Sequence, residues 1–126
     1  MTNKIDFSNN WNGKLNNAHF TTIRHDINKY PVGGIFELWL KDSHLGNVKV
    51  ISITHIKLSE LEKKDVICYQ DTGYDGKSTK AMIETMYKKH KITDDTLFAV
   101  ILLRVQERFQ YVPNPKITET NNLFEI

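Results

Sequence analysis

The stretch Leu97–Leu103, with the sequence Leu-Phe-Ala-Val-Ile-Leu-Leu, limits more than any other feature what this chain can fold into. It is far shorter than the roughly 20 apolar residues that a helix needs to cross a bilayer. Its β-branched and aromatic residues favour a strand. A strand that is apolar on both faces must be covered on both faces. We therefore predict a central, fully buried strand, with residues 104–112 as a candidate extension.

Shorter segments of similar composition precede this strand. Phe20–Arg24, Ile35–Leu40 and Val48–Ile56 are predicted strands. Tyr30–Gly34 is a predicted turn, because its proline fixes φ and its glycines tolerate positive φ. Asp42–Gly46 is predicted to form a hairpin turn. The third strand mixes polar and apolar side chains on both faces, which favours a strand that curves around a small barrel.

Two helices are predicted between the third strand and the buried one. Leu58–Glu62 marks the first, because Ser59 and Glu62 have capping-box spacing, and this helix should end before Gly73. Ser78 is the predicted N-cap of the second. The apolar stripe of this second helix comprises Met82, Ile83, Met86 and Tyr87.

Length and composition favour a single domain. The chain has 126 residues, of which 40% are hydrophobic and 25% charged, enough to bury one core. We expect one α+β domain over residues 1–126, with an ordered core at about 5–112. Pro113 and Pro115 interrupt the strand pattern, so residues 113–126 are predicted to form a loose or docked tail.

Charge, apolar runs and cysteine content restrict the location and the cofactors. A net charge of +2 is too small to indicate nucleic acid by itself. Met1–Phe7 lacks an apolar core of signal-peptide length, so we expect a cytoplasmic protein without a membrane segment. Cys68 is the sole cysteine, which excludes internal disulfides and multi-cysteine zinc sites; we expect it to be a small buried hydrophobe. The histidines show no metal-ligand spacing, and we expect neither metal nor cofactor.

Asp71–Gly76 resembles a calcium-binding loop in part. Gly73 stands at its third position and Met82 where the bidentate glutamate must be, so an EF-hand is rejected. What remains is a polar loop before a helix, a place from which an acid could reach a pocket. The chain also lacks the phosphate-binding P-loop, the dinucleotide glycine motif and the Gly-x-Ser-x-Gly elbow. Standard nucleotide hydrolases, dinucleotide dehydrogenases and α/β serine hydrolases are therefore unsupported.

The strand at Phe20–Arg24 carries the most suggestive side chains. Phe20, Thr22 and Arg24 point to one side of a strand, because successive residues alternate. Arg24 offers a planar fork for a phosphate or a base edge, and Thr22 adds a compact donor and acceptor. The pair fits a nucleotide clamp. A cross-strand threonine beside a surface arginine explains it equally well.

Several short motifs, taken in order, resemble one family. They are Phe7-Ser8, Gly13-Lys14, Thr22-Ile23-Arg24, Tyr30-x-x-Gly33, Phe36-Glu37 and Ile56-x-Leu58-x-Glu60-Leu61. This series resembles ASCH domains, relatives of the PUA RNA-binding domains, over about residues 5–106. The resemblance implies a small PUA-like β-barrel of about five to six strands, with two or three short helices packed at its openings. It also implies a ligand cleft lined by the Thr-x-Arg strand.

The resemblance also implies what such a cleft does. ASCH domains are generally inferred to bind RNA or nucleotides, and some are amidohydrolases of acylated cytidine that use a Lys-x-x-Thr-x-Arg segment and a downstream acid. Here the lysine position is occupied by His19, and Lys14 lies further upstream. The acid position falls among Asp71 to Asp75, where either aspartate replaces a glutamate.

The first functional hypothesis is a binding module for RNA or for a modified nucleoside or nucleotide. In it Arg24 contacts a phosphate or a base edge and Lys14 supplies charge. Trp11 or Tyr74 stacks on a base.

The second hypothesis is an amidohydrolase of an acylated cytidine-type nucleoside. Thr22 would be the nucleophile or would position water, and His19 or Lys14 would be the base. Asp71 or Asp75 would orient the base or act as an acid. A third interpretation is a protein-interaction domain without a small ligand, which a cleft filled by side chains would favour.

Overall fold

The computed structural model describes residues 3–25 and 28–113, so most of the predicted tail lies outside the described residues. The strands are β1 (Asn3–Phe7), β2 (His19–Arg24), β3 (Ile35–Leu40), β4 (Ser43–Lys57) and β5 (Leu97–Arg108). The helices are a 3₁₀ segment (Trp11–Asn16), α1 (Leu58–Leu61), α2 (Asp65–Thr72) and α3 (Gly76–Met86). No helix in the described ranges is long and apolar enough to cross a membrane.

The strands form one mixed sheet in the order β1-β3-β4-β5-β2. β1 runs parallel to β3, and the other neighbouring pairs are antiparallel. The predicted α+β class is therefore confirmed. A closed barrel would need backbone pairing between the two edge strands, β1 and β2. Within residues 3–25 and 28–113 no such pairing is present, so the sheet is open along this seam.

β5 is an inner strand, between β4 and β2, and its alternation explains why its sequence is apolar on both faces. Ala99, Ile101 and Leu103 belong to the larger hydrophobic core. Phe98 and Val100 belong to a second core, under the helices. The predicted buried strand is thus confirmed for its middle, whereas Leu97 at its start is 42% exposed.

The two cores divide the molecule. The larger one fills the concave side of the sheet with side chains from all five strands and from the 3₁₀ segment. The second joins the end of β4 and the start of β5 to the three α-helices. It consists of Ile56, Leu58, Leu61, Cys68, Ile83, Phe98 and Val100. The expectation that Cys68 is a buried hydrophobe is confirmed, since the residue is fully buried.

The hairpin between β3 and β4 is shorter than predicted. Leu40 pairs with Ser43, so Lys41 and Asp42 alone form the turn and residues 43–46 belong to β4. Gly46 serves a different purpose from the predicted turn. A Cβ there would collide with the carbonyl oxygen of Glu107 on β5, and the register shifts in this part of β4. The glycine therefore permits a close backbone approach within a bulged strand.

The predicted first helix is two helices, and its predicted capping box is wrong. α1 begins at Leu58, and the carboxylate of Glu60, rather than of Glu62, accepts from the backbone amide of Lys57 at 3.3 Å. The amide of Ser59 donates to the carbonyl of Asp94 at 3.0 Å, in the loop before β5. Tertiary hydrogen bonds therefore satisfy amides that a sequence-local cap would otherwise serve.

α3 begins earlier than predicted. Asp75, not Ser78, is the N-cap, and its carboxylate accepts from the amide of Ser78 at 2.8 Å. Of the predicted apolar stripe, Ile83 and Tyr87 pack in the second core. The two methionines face an open volume instead.

Phe98→Ala and Leu97→Ala compare the two faces of β5 in one strand. Phe98 is fully buried and its ring lies 5.7 Å from that of Tyr87, centroid to centroid. We expect Phe98→Ala to lower the free energy of unfolding by about 3–5 kcal/mol, through lost burial and a cavity. Because Leu97 is half-exposed, Leu97→Ala should lower the free energy of unfolding by less than about 1 kcal/mol. Urea unfolding measures both; equal losses would contradict this assignment of the second core.

Candidate functional site

A cavity of about 380 Å³ opens between the end of β1, strand β2 and the helices α2 and α3. Its position follows from the open seam of the sheet. The Phe7 and Phe20 rings meet edge to face across this seam at 6.0 Å. The Nη2 of Arg24 donates to the carbonyl of Asp6 at 2.8 Å. Side chains therefore hold the two sheet edges together where backbone hydrogen bonds do not.

Lys14 reaches the cavity because of the unusual backbone of the 3₁₀ segment. Asn12 and Gly13 have φ values of 57° and 66°, in the left-handed region that asparagine and glycine tolerate best. These two residues reverse the chain. Leu15 then enters the larger core, and Lys14 is 97% buried, with only 3% of its surface exposed.

The ammonium of Lys14 forms a buried ion pair with the carboxylate of Asp71. It also donates to the carbonyl of Thr21 at 2.7 Å. Asp71 lies in the last turn of α2, which ends at Gly73 with a φ of 83°. The predicted polar loop is therefore shorter than expected, because Asp71 is helical. The ion pair links the segment after β1 to the end of a helix across 57 positions of sequence.

Burial acts on both members of this pair. It lowers the pKa of Lys14 and raises the pKa of Asp71, and in each case the partner's opposite charge works against the shift. The nearby Arg24 guanidinium further lowers the pKa of Lys14. Both net shifts favour the uncharged forms.

Thr22 and Arg24 form the wall of the cavity on β2. Thr22 is 4% exposed, and its hydroxyl oxygen accepts from the Nε of Arg24 at 3.0 Å. The guanidinium lies over the ring of Phe7, 4.6 Å from the centroid, and the Lys14 ammonium lies 5.3 Å from the same centroid. One aromatic ring thus lies beside both cations.

The structure separates the predicted site residues into two groups. His19 is exposed at the start of β2, and alternation directs it to the side opposite Thr22. Asp75 caps α3 and does not line the cavity. The ring of Tyr74 lies 6.4 Å from that of Trp11, edge to face, outside the lining. The predicted residues that do line the cavity are Trp11, Lys14, Thr22, Arg24 and Asp71.

Sequence reasoning missed the apolar walls. Phe7 lines the cavity beneath the cations, and Met82, Met86 and Tyr87 line it from α3. The sequence did contain a signal for the wall on α3, because Met82 and Met86 lie one turn apart on one face of the predicted helix. A packing interpretation accounted for them equally well. Met86 is in fact 63% exposed. Among the described residues no group of three His, Cys, Asp or Glu side chains could hold a metal ion.

Comparison with known proteins shows a likeness in fold. No protein-family model matches the sequence, and no curated protein is significantly similar to it. The chain is similar in structure to protein EF3133 from Enterococcus faecalis V583, of the DUF984 family, whose crystal structure superimposes with a TM-score of 0.59. The match covers 91% of this chain and 87% of that one at 7% identity. At this identity the likeness shows a shared fold alone.

The buried pair provides a test by double mutation. Asp71→Leu leaves the Lys14 ammonium buried without its counter-charge, and Lys14→Met does the same to the carboxylate. We expect each single change to lower the free energy of unfolding by about 3–5 kcal/mol. The double variant should regain most of that loss, because it buries no charge. Denaturant unfolding of all four proteins measures the coupling; additive losses would mean that the two charges do not interact in the folded protein.

Proposed function

We propose that this chain is an ASCH-type domain whose cavity binds a nucleoside or nucleotide. The observation that carries the proposal is that Lys14, Thr22, Arg24 and Asp71 line one cavity. In ASCH domains, by resemblance, a lysine, a Thr-x-Arg strand and an acid share the ligand cleft. The two sheet edges that face each other here would then correspond to the closing seam of a PUA-like barrel.

The size and chemistry of the cavity support a ligand of this class. A volume of about 380 Å³ is within the usual range for small-molecule pockets. Trp11 and the methionines of α3 provide apolar walls for a base, and Arg24 provides donors for a base edge or a phosphate. An unpaired base of an RNA could enter in the same way, because RNA-binding domains commonly take up splayed-out bases.

The cavity gives no specific support to a protein-interaction domain. Phe20, one of the side chains that might have filled the cleft, is 5% exposed and packs in the larger core. Trp11 lies on the wall and leaves the volume open. The expected cytoplasmic location remains a prediction.

Arg24→Ala tests the binding proposal. Calorimetric titration at low salt would use cytidine, N4-acetylcytidine, cytidine 5′-monophosphate and a short single-stranded RNA. Loss of hydrogen bonds from a charged donor costs about 1.5–3 kcal/mol, so we expect affinity to fall roughly 10- to 150-fold. Arg104→Ala is the matched control, because Arg104 is exposed on β5 and outside the cavity. Absence of binding to the wild type across this panel would refute the proposal.

A second candidate function is hydrolysis of an acylated cytidine-type nucleoside. Burial lowers the pKa of Lys14, which lies beside the Thr22 strand and contacts Asp71. In this mechanism the Thr22 oxygen bonds to the acyl carbon while its proton passes to neutral Lys14. The C–N bond then breaks and the leaving amine takes that proton. Lys14 then takes a proton from the water that attacks the acyl group on Thr22 and returns it to the Thr22 oxygen as the carboxylic acid leaves, and Asp71 stabilises the lysine whenever it is protonated.

Turnover of N4-acetylcytidine tests the hydrolase. Thr22→Ala should abolish product formation, whereas Thr54→Ala, an exposed threonine on β4, should leave it unchanged. The base must be the neutral amine, so kcat/KM should rise with pH through the pKa of Lys14. Because that pKa is lowered, the rise should level off below the ordinary value of 10.5. Activity that persists in Thr22→Ala would exclude Thr22 as nucleophile.

A further inference from the structure

We propose that a second cleft beside the cavity binds a phosphate group, so that the ligand of the cavity is a nucleoside monophosphate rather than a free nucleoside. This inference rests on the proposed nucleoside-binding function. The second cleft has a volume of about 560 Å³ and shares Arg24 as a lining residue with the cavity. Its polar lining consists of Arg24, His25, Asn28, Lys29 and His90.

The two open volumes share part of their walls. Arg24 and Tyr87 line both the cavity and the second cleft. A ligand whose base lies against the methionines of α3 could therefore extend past Arg24 into the second cleft. The base and the extended group could then both contact the same guanidinium, which offers several donors in a planar fork.

The charge of the second cleft favours an anion. Arg24 and Lys29 are cationic, and the described lining contains no acidic residue. Neither cation, and neither histidine, takes part in an ion pair with any residue in the described ranges. The cavity differs in this respect, because the charge of Lys14 is balanced there by Asp71. The described lining of the second cleft thus carries positive charge that a ligand could neutralise.

The two imidazoles are held in place by aromatic packing. The His25 ring lies 5.4 Å from Phe98 and 5.5 Å from Tyr87, and the His90 ring lies 5.8 Å from Tyr87, centroid to centroid. The two histidine rings are 6.1 Å apart. The second core therefore supports a pair of neighbouring imidazole donors next to the two cations.

A phosphate monoester fits this set of groups better than a neutral group does. It carries a charge of about −1.5 to −2 near neutral pH and three acceptor oxygens. Two permanent cations and two imidazoles match that charge and that number of acceptors. A backbone diester carries a single charge and would use fewer of these donors.

Calorimetric titration with cytidine, cytidine 5′-monophosphate and inorganic phosphate tests the inference. We expect the wild type to bind the monophosphate about tenfold or more tightly than cytidine, since charge-assisted hydrogen bonds are added. Lys29→Ala and His90→Ala should remove this advantage and leave cytidine binding unchanged, because neither residue lines the cavity. The matched controls are Lys63→Ala and His55→Ala, exposed residues outside both clefts.

Each other outcome has a distinct meaning. Equal affinity for cytidine and its monophosphate would overturn the phosphate site and leave the nucleoside-binding proposal standing. Failure of both to bind, with inorganic phosphate binding lost in Lys29→Ala, would overturn the nucleotide assignment and reduce the second cleft to an anion site. A cytidine dinucleotide that binds as tightly as the monophosphate would replace the monoester by an RNA backbone phosphate.

Discussion

The buried ion pair between Lys14 and Asp71 is the interaction on which the site depends. Removing two charges from water costs several kcal/mol per ion, and each member of this pair is tolerated only because the other is present. The pair therefore fixes the 3₁₀ segment after β1 against the last turn of α2. These two pieces of chain are walls of the cavity, so the electrostatic requirement of the pair also determines the shape of the space beside it.

The cavity also depends on how the sheet ends. If β1 and β2 paired through their backbones, the seam would be filled by a ladder and there would be less room between them. Instead Arg24 donates to the carbonyl of Asp6, and Phe7 packs against Phe20. Side-chain bridges of this kind leave an opening between the two edges, and polar groups of the edge strands can face a ligand there. The same arginine also lines the second cleft, as does Tyr87.

What the sequence could predict was set by short-range periodicity. Alternation placed Thr22 and Arg24 on one side of a strand, and the apolar run at Leu97–Leu103 marked a strand covered on both faces. Whether His19 or Lys14 supplies the basic group of the cleft depended on the left-handed backbone at Asn12 and Gly13, which no periodic pattern encodes. Whether Asp71 or Asp75 supplies the acid of the cleft depended on where α2 ends. The start of α1 was misplaced because a contact distant in sequence satisfies the amide of Ser59, whereas α3 has a local cap, Asp75, three residues before the predicted one.

A structural ion pair and a functional site can look alike, and the surroundings of this pair favour the proposed site over a purely structural role. A hydrophobic pair of similar volume would give a stable core without a desolvation cost. Here the charged groups lie beside open space, and Met86 stays largely exposed. Unfavourable features of this kind cluster at functional sites, where perturbed pKa values serve binding or catalysis. Because the second core and the sheet stabilise the rest of the fold, the protein can tolerate a buried ion pair and an exposed apolar wall at the cavity. A ligand that fills the cavity would bury this apolar wall.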